Sequence, residues 1–585
     1  MRLVTLVLLA FAFALGVAGC ATENGSADNA RPASRRQLLV LSLDGLPWDL
    51  AQQKMAAGKM PNLAALVARG SSASGGSVSS YPAKTAPAHA TLWTGCWSDR
   101  TKILGNETPV LPRTAHSILE FRPGFDASAL AADPVWRIAA RAGKTVTVVQ
   151  ATHAEPDNGD DLGIPSLRIF NGYRNLVRSA IVTGPAFAAD DRTFTVERDG
   201  DGLAVSCPPL HVHVPRATWV AVDHPGVRGV FYLYLARFEP AGWALLRSSY
   251  STVAAPSEAD AARFRSQVGG YAYNAQKLDP PLLDGTPWKR EAYLAATKLN
   301  AEQVKKAVLW AMKERPSDLT IAYLPQPDEA LHELLGKIEI WADREAAATL
   351  DEVLAVCDSL LGDLASALGP EGAIAVVSDH GMAPVDRVFY PNLALERAGL
   401  LARSPTGGIS LAATQVIFAR SGDFLTVNTL DRFGGIVPPG EKEAWLSLAE
   451  REISKAAEAS LGAGSLLPPF RPGTNSADLA ASPEGDAWLS AACDGVRLYA
   501  FLSPELPAKD SPLVREISPP MGYHSGDPRI ARLRAAMVFA GPGFLHSEAA
   551  GVRHVDFAPT VLRWLGVEPP GDMAGAPLDA FLEKP

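Results

Sequence analysis

Nowhere in this chain do two cysteines stand close enough together to grip a metal. Cys20, Cys96, Cys207, Cys357 and Cys493 are scattered singly, with no CxxC pair, so a thiolate metal site is not indicated. One or two disulfides remain open in an oxidising compartment. Basic charge is also in short supply: 54 Lys and Arg stand against 63 Asp and Glu, a formal net charge of -9. That balance argues against binding a nucleic-acid polymer over a broad surface, while leaving room for a local basic pocket. No internal repeat is visible, and beyond the N-terminus no apolar run reaches membrane-spanning length.

What is present has the composition of a folded protein, 47% hydrophobic and 20% charged. A length of 585 residues predicts several structural units at roughly 150 residues each. The first twenty residues, MRLVTLVLLAFAFALGVAGC, combine Arg2, an apolar run from 3 to 17 and a small-residue approach to Cys20. The run is shorter than the roughly 20 residues that a membrane span needs, so the order reads as an export signal. Val17-Ala18-Gly19-Cys20 resembles a bacterial lipobox, with ordinary cleavage near the same place as the alternative. This predicts a lipoprotein signal peptide over 1–19, a lipid on Cys20 and a polar, turn-rich tether over 20–36. The expected location is the periplasmic side of a bacterial envelope. The outer membrane is favoured over the inner because Ala21, not Asp, follows the cysteine.

Five short apolar runs read as buried strands: LLVLSL at 38–43, TVTVVQ at 145–150, LTIAYL at 319–324, AIAVV at 373–377 and AAMVFA at 535–540. Helical patterns lie between them. MPNLAALVARG starts at Met60, DPVWRIAARAG has Asp133 as its predicted cap, and NAEQVKKAVLWAMKERP starts at Asn300. Doubly buried strands alternating with helices indicate an α/β layer fold. Two stretches break the rhythm with alternating β-type pieces and Gly/Pro turns. The predicted organisation is therefore a catalytic core over 37–180, 291–405 and 512–585, interrupted by α+β caps over 181–290 and 406–511.

Three of the strand runs lead into an aspartate: Asp44 in LSLDG, Asp328 in AYLPQPD and Asp379 in AVVSDHG. Ligands of open α/β sheets gather beyond the carboxyl ends of the strands, which makes the three acids candidates for one site. Asp328 and His332 are four apart on one helical face, and Asp379 adjoins His380. A glycine follows that histidine and allows a sharp turn. Carboxylate and imidazole without thiolate suit a catalytic rather than a structural zinc. In YPAKTAPAHATLWTG, Thr85 reads as a helix N-cap with Pro87 in the first turn, a place where an anion is also favoured. His89, Ser80 and Lys84 read as structural or as supporting the site from behind its ligands.

The set LSLDG, KTAPAHATLWTG, LGN, PDEALH, VVSDHGM and GYHSGD resembles the alkaline phosphatase superfamily, most closely its type I phosphodiesterase/nucleotide pyrophosphatase branch. HVDFAPTVLRWLG at 554–566 is similar to the family's last helix. The resemblance covers the core segments and not the caps. It implies an alkaline phosphatase-like fold, with a central mostly parallel sheet between helical layers. It also implies two zinc ions, one held by Asp328, His332 and His524, the other by Asp44, Asp379 and His380 with Thr85 as a further ligand. Thr85 would be the nucleophile, forming a phospho-threonine, and Asn106 would bind a phosphoryl oxygen.

The implied substrate is a small phosphate ester, with phosphodiester or pyrophosphate bonds favoured. A neutral Asn106 suits a diester, whereas monoesterases of the superfamily add Arg or Lys. Arg168 and Arg174 in SLRIFNGYRN are the local candidates for that role, and Tyr173 or Phe170 for stacking on an aromatic group. The alternatives are an alkaline phosphatase using the same threonine, or a non-catalytic zinc-binding envelope lipoprotein. Ala86 stands where nucleotide pyrophosphatases commonly carry an aromatic residue, which weakens the expectation of nucleotide specificity. The lack of a Cys-x-Pro-x-Arg motif disfavours a sulfatase.

Overall fold

The computed structural model describes residues 36–154, 163–172, 178–224, 229–250, 252–272, 278, 282–420, 422–473 and 479–584. The predicted leader, the lipidated Cys20 and the tether up to residue 35 lie outside the described residues, as do Tyr173 and Arg174.

All five apolar runs form strands of one eight-stranded sheet. In spatial order the strands are Ser547–Ala549, Ser71–Ala73, Met537–Ala540, Gly372–Val377, Gln37–Leu43, Leu319–Leu324, Val146–Val149 and Leu167–Phe170. The five from Gly372–Val377 to Leu167–Phe170 pair parallel, and Met537–Ala540 runs antiparallel to its neighbours. Alternation of side chains splits each central strand between two cores. Leu39, Leu41 and Leu43 enter the core under helices Pro287–Glu314, Asp328–Trp341 and Arg344–Leu368. Leu38 and Val40 enter the other, with helices Thr85–Thr94, Val135–Arg141 and Phe557–Trp564. The result is the expected α/β fold of a mostly parallel sheet between helical layers.

Three local expectations change. The helix predicted from Asn300 begins at Pro287, because Pro at the first turn and a buried apolar stripe through Ala292, Leu294 and Ala296 extend it toward the N-terminus. Asp133 does not cap the helix Val135–Arg141. Pro134 holds the cap position, and the carboxylate instead pairs with Arg137 and Arg141. Cys96, Cys207, Cys357 and Cys493 are all free thiols. No helix among the described residues is long and apolar enough to cross a membrane.

The 181–290 segment forms two antiparallel four-stranded sheets around its own core of Phe194, Phe231 and Tyr250. Tyr232 and Tyr234, on the opposite face of the strand Val230–Glu239, pack with the helix Pro287–Glu314. The 406–511 segment carries the sheet Val416–Phe418, Phe424–Val427 and Ala487–Trp488 with the helix Lys442–Leu461. The second of these segments reaches the candidate site, where its Asp423 meets Lys84 and Gly526.

Candidate metal centre and nucleophile

Gln37–Leu43, Leu319–Leu324 and Gly372–Val377 are adjacent parallel strands, so the residues beyond their carboxyl ends meet. Asp44 follows the first directly, Asp328 opens the helix after the second, and Asp379 and His380 follow the third. Backbone bonds lock the first pair: Asp44 N–H donates to Leu324 O at 3.0 Å, and Asp328 N–H to Asp44 O at 2.9 Å. Gly45 makes the approach possible. It sits at φ +64, and a Cβ there would lie 2.7 Å from the Asp328 Cβ, while its N–H donates to Asp379 Oδ1 at 2.9 Å. Gly381 works through space rather than through the turn expected of it, since a Cβ would meet Arg532 O at 2.3 Å.

His524 arrives from a distant part of the chain. The strand Ala383–Phe389 leaves the His380 loop and pairs antiparallel with Val514–Tyr523, in a register that sets Ala383 opposite Tyr523. That pairing brings His524 over His380, with ring centroids 3.5 Å apart and ring planes nearly parallel.

Tautomers follow from the hydrogen bonds. Carbonyl oxygens only accept, so the Nδ1–H of His332 donates to Gly522 O (2.8 Å), that of His524 to Ala83 O (2.9 Å) and that of His380 to Gly381 O (3.0 Å). That leaves the Nε2 atom of each ring facing carboxylate oxygens. His332 and His524 Nε2 lie 3.4 and 3.5 Å from Asp328 Oδ1, and His380 Nε2 lies 3.1 Å from Asp379 Oδ2 and 3.6 Å from Asp44 Oδ1. Lone pairs facing lone pairs in a buried place repel unless a cation stands between them. Asp44 Oδ1, Asp328 Oδ1 and Asp379 Oδ2 are buried without a hydrogen-bond donor, as metal ligands would be. The ligand atoms fall into two groups: Asp328, His332 and His524, as expected, and Asp44, Asp328 and His380. Asp328 therefore belongs to both, and Asp379 borders the second.

Burial acts to lower the His380 pKa, but the Asp379 and Asp328 carboxylates outweigh it and raise it, so positive charge, as a proton or a metal ion, is favoured at its Nε2. Burial, reinforced by the neighbouring Asp379 and Asp328 carboxylates, pushes the Asp44 carboxyl well above its usual pKa. Burial acts to raise Asp379 too, but the His380 and His89 imidazoles outweigh it and hold its pKa low. Burial and the adjacent His380 and His332 rings drive the His524 pKa well below the usual imidazole value, which favours the neutral, ligating form. Three carboxylates crowded in one dry pocket are what divalent cations relieve. The residues therefore fit a metal centre.

Thr85 is the first residue of the helix Thr85–Thr94. Lys84 holds the cap position, so the expected capping role for Thr85 gives way. Its hydroxyl is left for other work and lies 3.3 Å from His380 Nε2. Asn106 Oδ1 accepts from the Ala86 N–H at 3.0 Å, which fixes the amide and leaves Nδ2 as a donor beside Thr85.

Four positioning residues escaped sequence reasoning. Tyr323 donates its hydroxyl hydrogen to Asp44 Oδ2 at 2.5 Å, and Ser42 bonds His89 Nε2 at 2.8 Å beneath the nucleophile helix. Both stand on strands that lead into the site, and that placement was the available signal. Lys84, which the sequence marks as structural or supporting but without a partner, pairs with Asp423 from the second inserted segment at 2.9 Å, both side chains buried. Asp423 Oδ2 also accepts from Ser525 Oγ and, at 3.1 Å, from Gly526 N–H. It thus ties the residue before Thr85 to the loop after His524. No spacing in the sequence signals this link.

Asp423→Asn removes the buried carboxylate charge facing the Lys84 ammonium, which is expected to cost about 3–5 kcal/mol of stability. The expected fall in kcat is roughly 10- to 100-fold, through misplacement of Thr85. Lys84→Met with Asp423→Asn should restore the thermal midpoint and leave kcat low. Recovery of both together would show the pair to be purely structural.

Arg168 does not join the site. Its guanidinium bonds Pro165 O and Leu167 O on the edge strand Leu167–Phe170, because its position on that strand lets it reach the chain's own carbonyls. Phe170 is buried between Phe264 and Trp310 and is a core residue.

The family model for type I phosphodiesterase / nucleotide pyrophosphatase matches residues 38–451. No curated protein matches the chain. Among solved structures, murine ectonucleotide pyrophosphatase/phosphodiesterase 5, as an inactive variant in complex with AMP, is similar at 13% identity and TM-score 0.48, covering 91% of this chain and 96% of that one. The human protein of the same name is similar at 12% identity and TM-score 0.48, covering 93% of this chain and 100% of that one. With a match that spans most of its length, the chain belongs to the type I phosphodiesterase/nucleotide pyrophosphatase family of the alkaline phosphatase superfamily, and it is a phosphoric ester hydrolase.

Proposed function

We propose that the protein hydrolyses phosphodiesters at a two-zinc centre with Thr85 as nucleophile. The observation that carries this reading is the gathering of His Nε2 atoms and donor-less carboxylate oxygens into two candidate ligand groups, with the Thr85 hydroxyl 3.3 Å from His380 Nε2. Asp328, His332 and His524 would hold one zinc, and Asp44, Asp379 and His380 the other, with Asp328 close enough to serve both. When bound, zinc supplies a lowered hydroxyl pKa and positive charge for the developing oxyanion.

The chain's own residues do the rest. Thr85 Oγ1 gives up its proton and forms a bond to phosphorus, while the bond from phosphorus to the departing alkoxide oxygen breaks. The departing oxygen takes up a proton, and water then cleaves the phospho-threonine. Asn106 Nδ2 donates to a non-bridging oxygen and orients the phosphoryl group. The N-terminus of the helix Thr85–Thr94 adds a favourable field for its charge.

Diesters are favoured over monoesters because the cations beside the site are already neutralised. Lys84 pairs with Asp423, and Arg420 pairs with Glu107, the residue after Asn106. At Lys84 and Arg420, among the described residues, a dianionic monoester would meet cations already paired with carboxylates. The test is kcat/KM for bis-p-nitrophenyl phosphate against p-nitrophenyl phosphate on zinc-loaded protein, with Thr85→Ala as the blank. A ratio well above one is expected. A ratio well below one makes the protein a threonine-dependent phosphomonoesterase, and no Thr85-dependent turnover of either leaves a binding lipoprotein.

The leader sequence supports export and a lipid on Cys20, facing the periplasm. Mass spectrometry of the mature N-terminus tests this, and an unmodified N-terminus would overturn it.

A further inference from the structure

A cavity of about 670 Å³ adjoins the metal centre, and three of its lining residues are the immediate neighbours of site residues: Lys84 before Thr85, Glu107 after Asn106 and Tyr523 before His524. The second inserted segment supplies most of the remaining wall, including Ile409, Phe418 and Phe501, and Leu119 and Phe121 complete it from the core. We propose that this cavity binds one ester arm of the substrate and selects an arm that is apolar and uncharged, an alkyl chain or an aryl ring, rather than a further phosphate. The proposal rests on the phosphodiesterase reading and names its substrate class.

Charge and surface both argue for it. Lys84 and Arg420 are the two cations among the described lining residues, and each meets a carboxylate, at 2.9 and 2.5 Å. Glu107 and Glu505 balance them within the lining, and Asp423 lies directly behind Lys84. A diphosphate or triphosphate arm would therefore meet a neutral-to-negative wall and would have to break ion pairs to bind. Apolar side chains occupy most of the rest of the lining. The volume lies within the usual range for a small-ligand site, roughly 300–1,000 Å³. Ala86, small and fully buried, offers no ring to stack a base beside the nucleophile.

The experiment is a series of p-nitrophenyl phosphodiesters on the zinc-loaded protein, with methyl, butyl, hexyl, phenyl and 5′-nucleoside second arms, and with ATP as the polyphosphate. kcat/KM should rise from methyl to hexyl by roughly threefold to fourfold for each methylene that is buried. Phenyl should exceed methyl, and ATP should be the poorest. Hexyl above phenyl identifies a chain-shaped arm and phenyl above hexyl a ring-shaped one. Leu119→Asp and Ile409→Asp alter side chains that are exposed or half-buried in the folded protein, and each should collapse the hexyl-to-methyl ratio toward one. A flat series, a preference for ATP, or a nucleoside arm preferred over both hexyl and phenyl would overturn the proposal. Each of those outcomes still shows turnover, whereas no Thr85-dependent turnover of any member would defeat the phosphodiesterase reading itself.

Discussion

Thr85→Ala is expected to lower turnover of bis-p-nitrophenyl phosphate by at least roughly 10³-fold, the scale of losing a covalent nucleophile, while the protein keeps its metal. The separation of the two effects follows from the geometry. The carboxylates and imidazoles of both candidate ligand groups come from other elements, and His380, which loses its 3.3 Å contact with the Thr85 hydroxyl, keeps its Nδ1–H bond to Gly381 O. The methyl and hydroxyl are removed from a helix whose cap is Lys84 and whose N-terminal field is unchanged. Thr85→Ser keeps an oxygen at the same place and should retain substantial activity. Acid-quenched wild-type protein should yield a phosphorylated peptide containing Thr85, absent from the alanine variant. Turnover of Thr85→Ala within tenfold of wild type would mean that water attacks directly and that the threonine only orients the phosphoryl group.

Asp328→Asn should strip both metal ions, because Asp328 is the one residue common to the two candidate ligand groups. His332→Ala removes a ligand from one group alone and should leave about one ion per chain. Asparagine is isosteric, and the Asp328 backbone bond to Asp44 O survives the change. The Asp328 charge is also one of the influences that raise the Asp44 pKa, so removing it relieves a buried like-charge contact. The metal-free variant is therefore expected to melt no lower than metal-free wild type, while its metal content falls toward zero. Metal analysis and thermal melts in a chelator check both halves. Full metal retention by Asp328→Asn would show that Asp44, Asp379 and His380 hold their ion without it.

Much of this site was legible before any tertiary structure. Asp44, Asp328, Asp379 and His380 stand at the ends of apolar runs whose pattern marks them as strands, and parallel strands gather their carboxyl ends at one edge. Asp328 and His332 share a helix face at any tertiary arrangement. The helix beginning at Asn300 was misread because Gly/Pro punctuation upstream masked the periodicity that continues back to Pro287. Arg168 was attractive only as a cation close in sequence, and its guanidinium bonds carbonyls on its own edge strand instead.

The sequence by itself determined the chemistry of the centre, since carboxylates and imidazoles without thiolates, one threonine and one amide define what can be bound and attacked. It also determined the layered core, since hydrophobic periodicity is a local property. Only the tertiary structure decided which groups lie close enough to share a ligand and what surrounds Thr85. The antiparallel register of Ala383 against Tyr523 delivers His524, and a buried aspartate from the second inserted segment braces Lys84. The same segment walls the neutral cavity beside Thr85. These are pairings between remote stretches, fixed by packing and register rather than by any local pattern, and they govern which ester the centre receives.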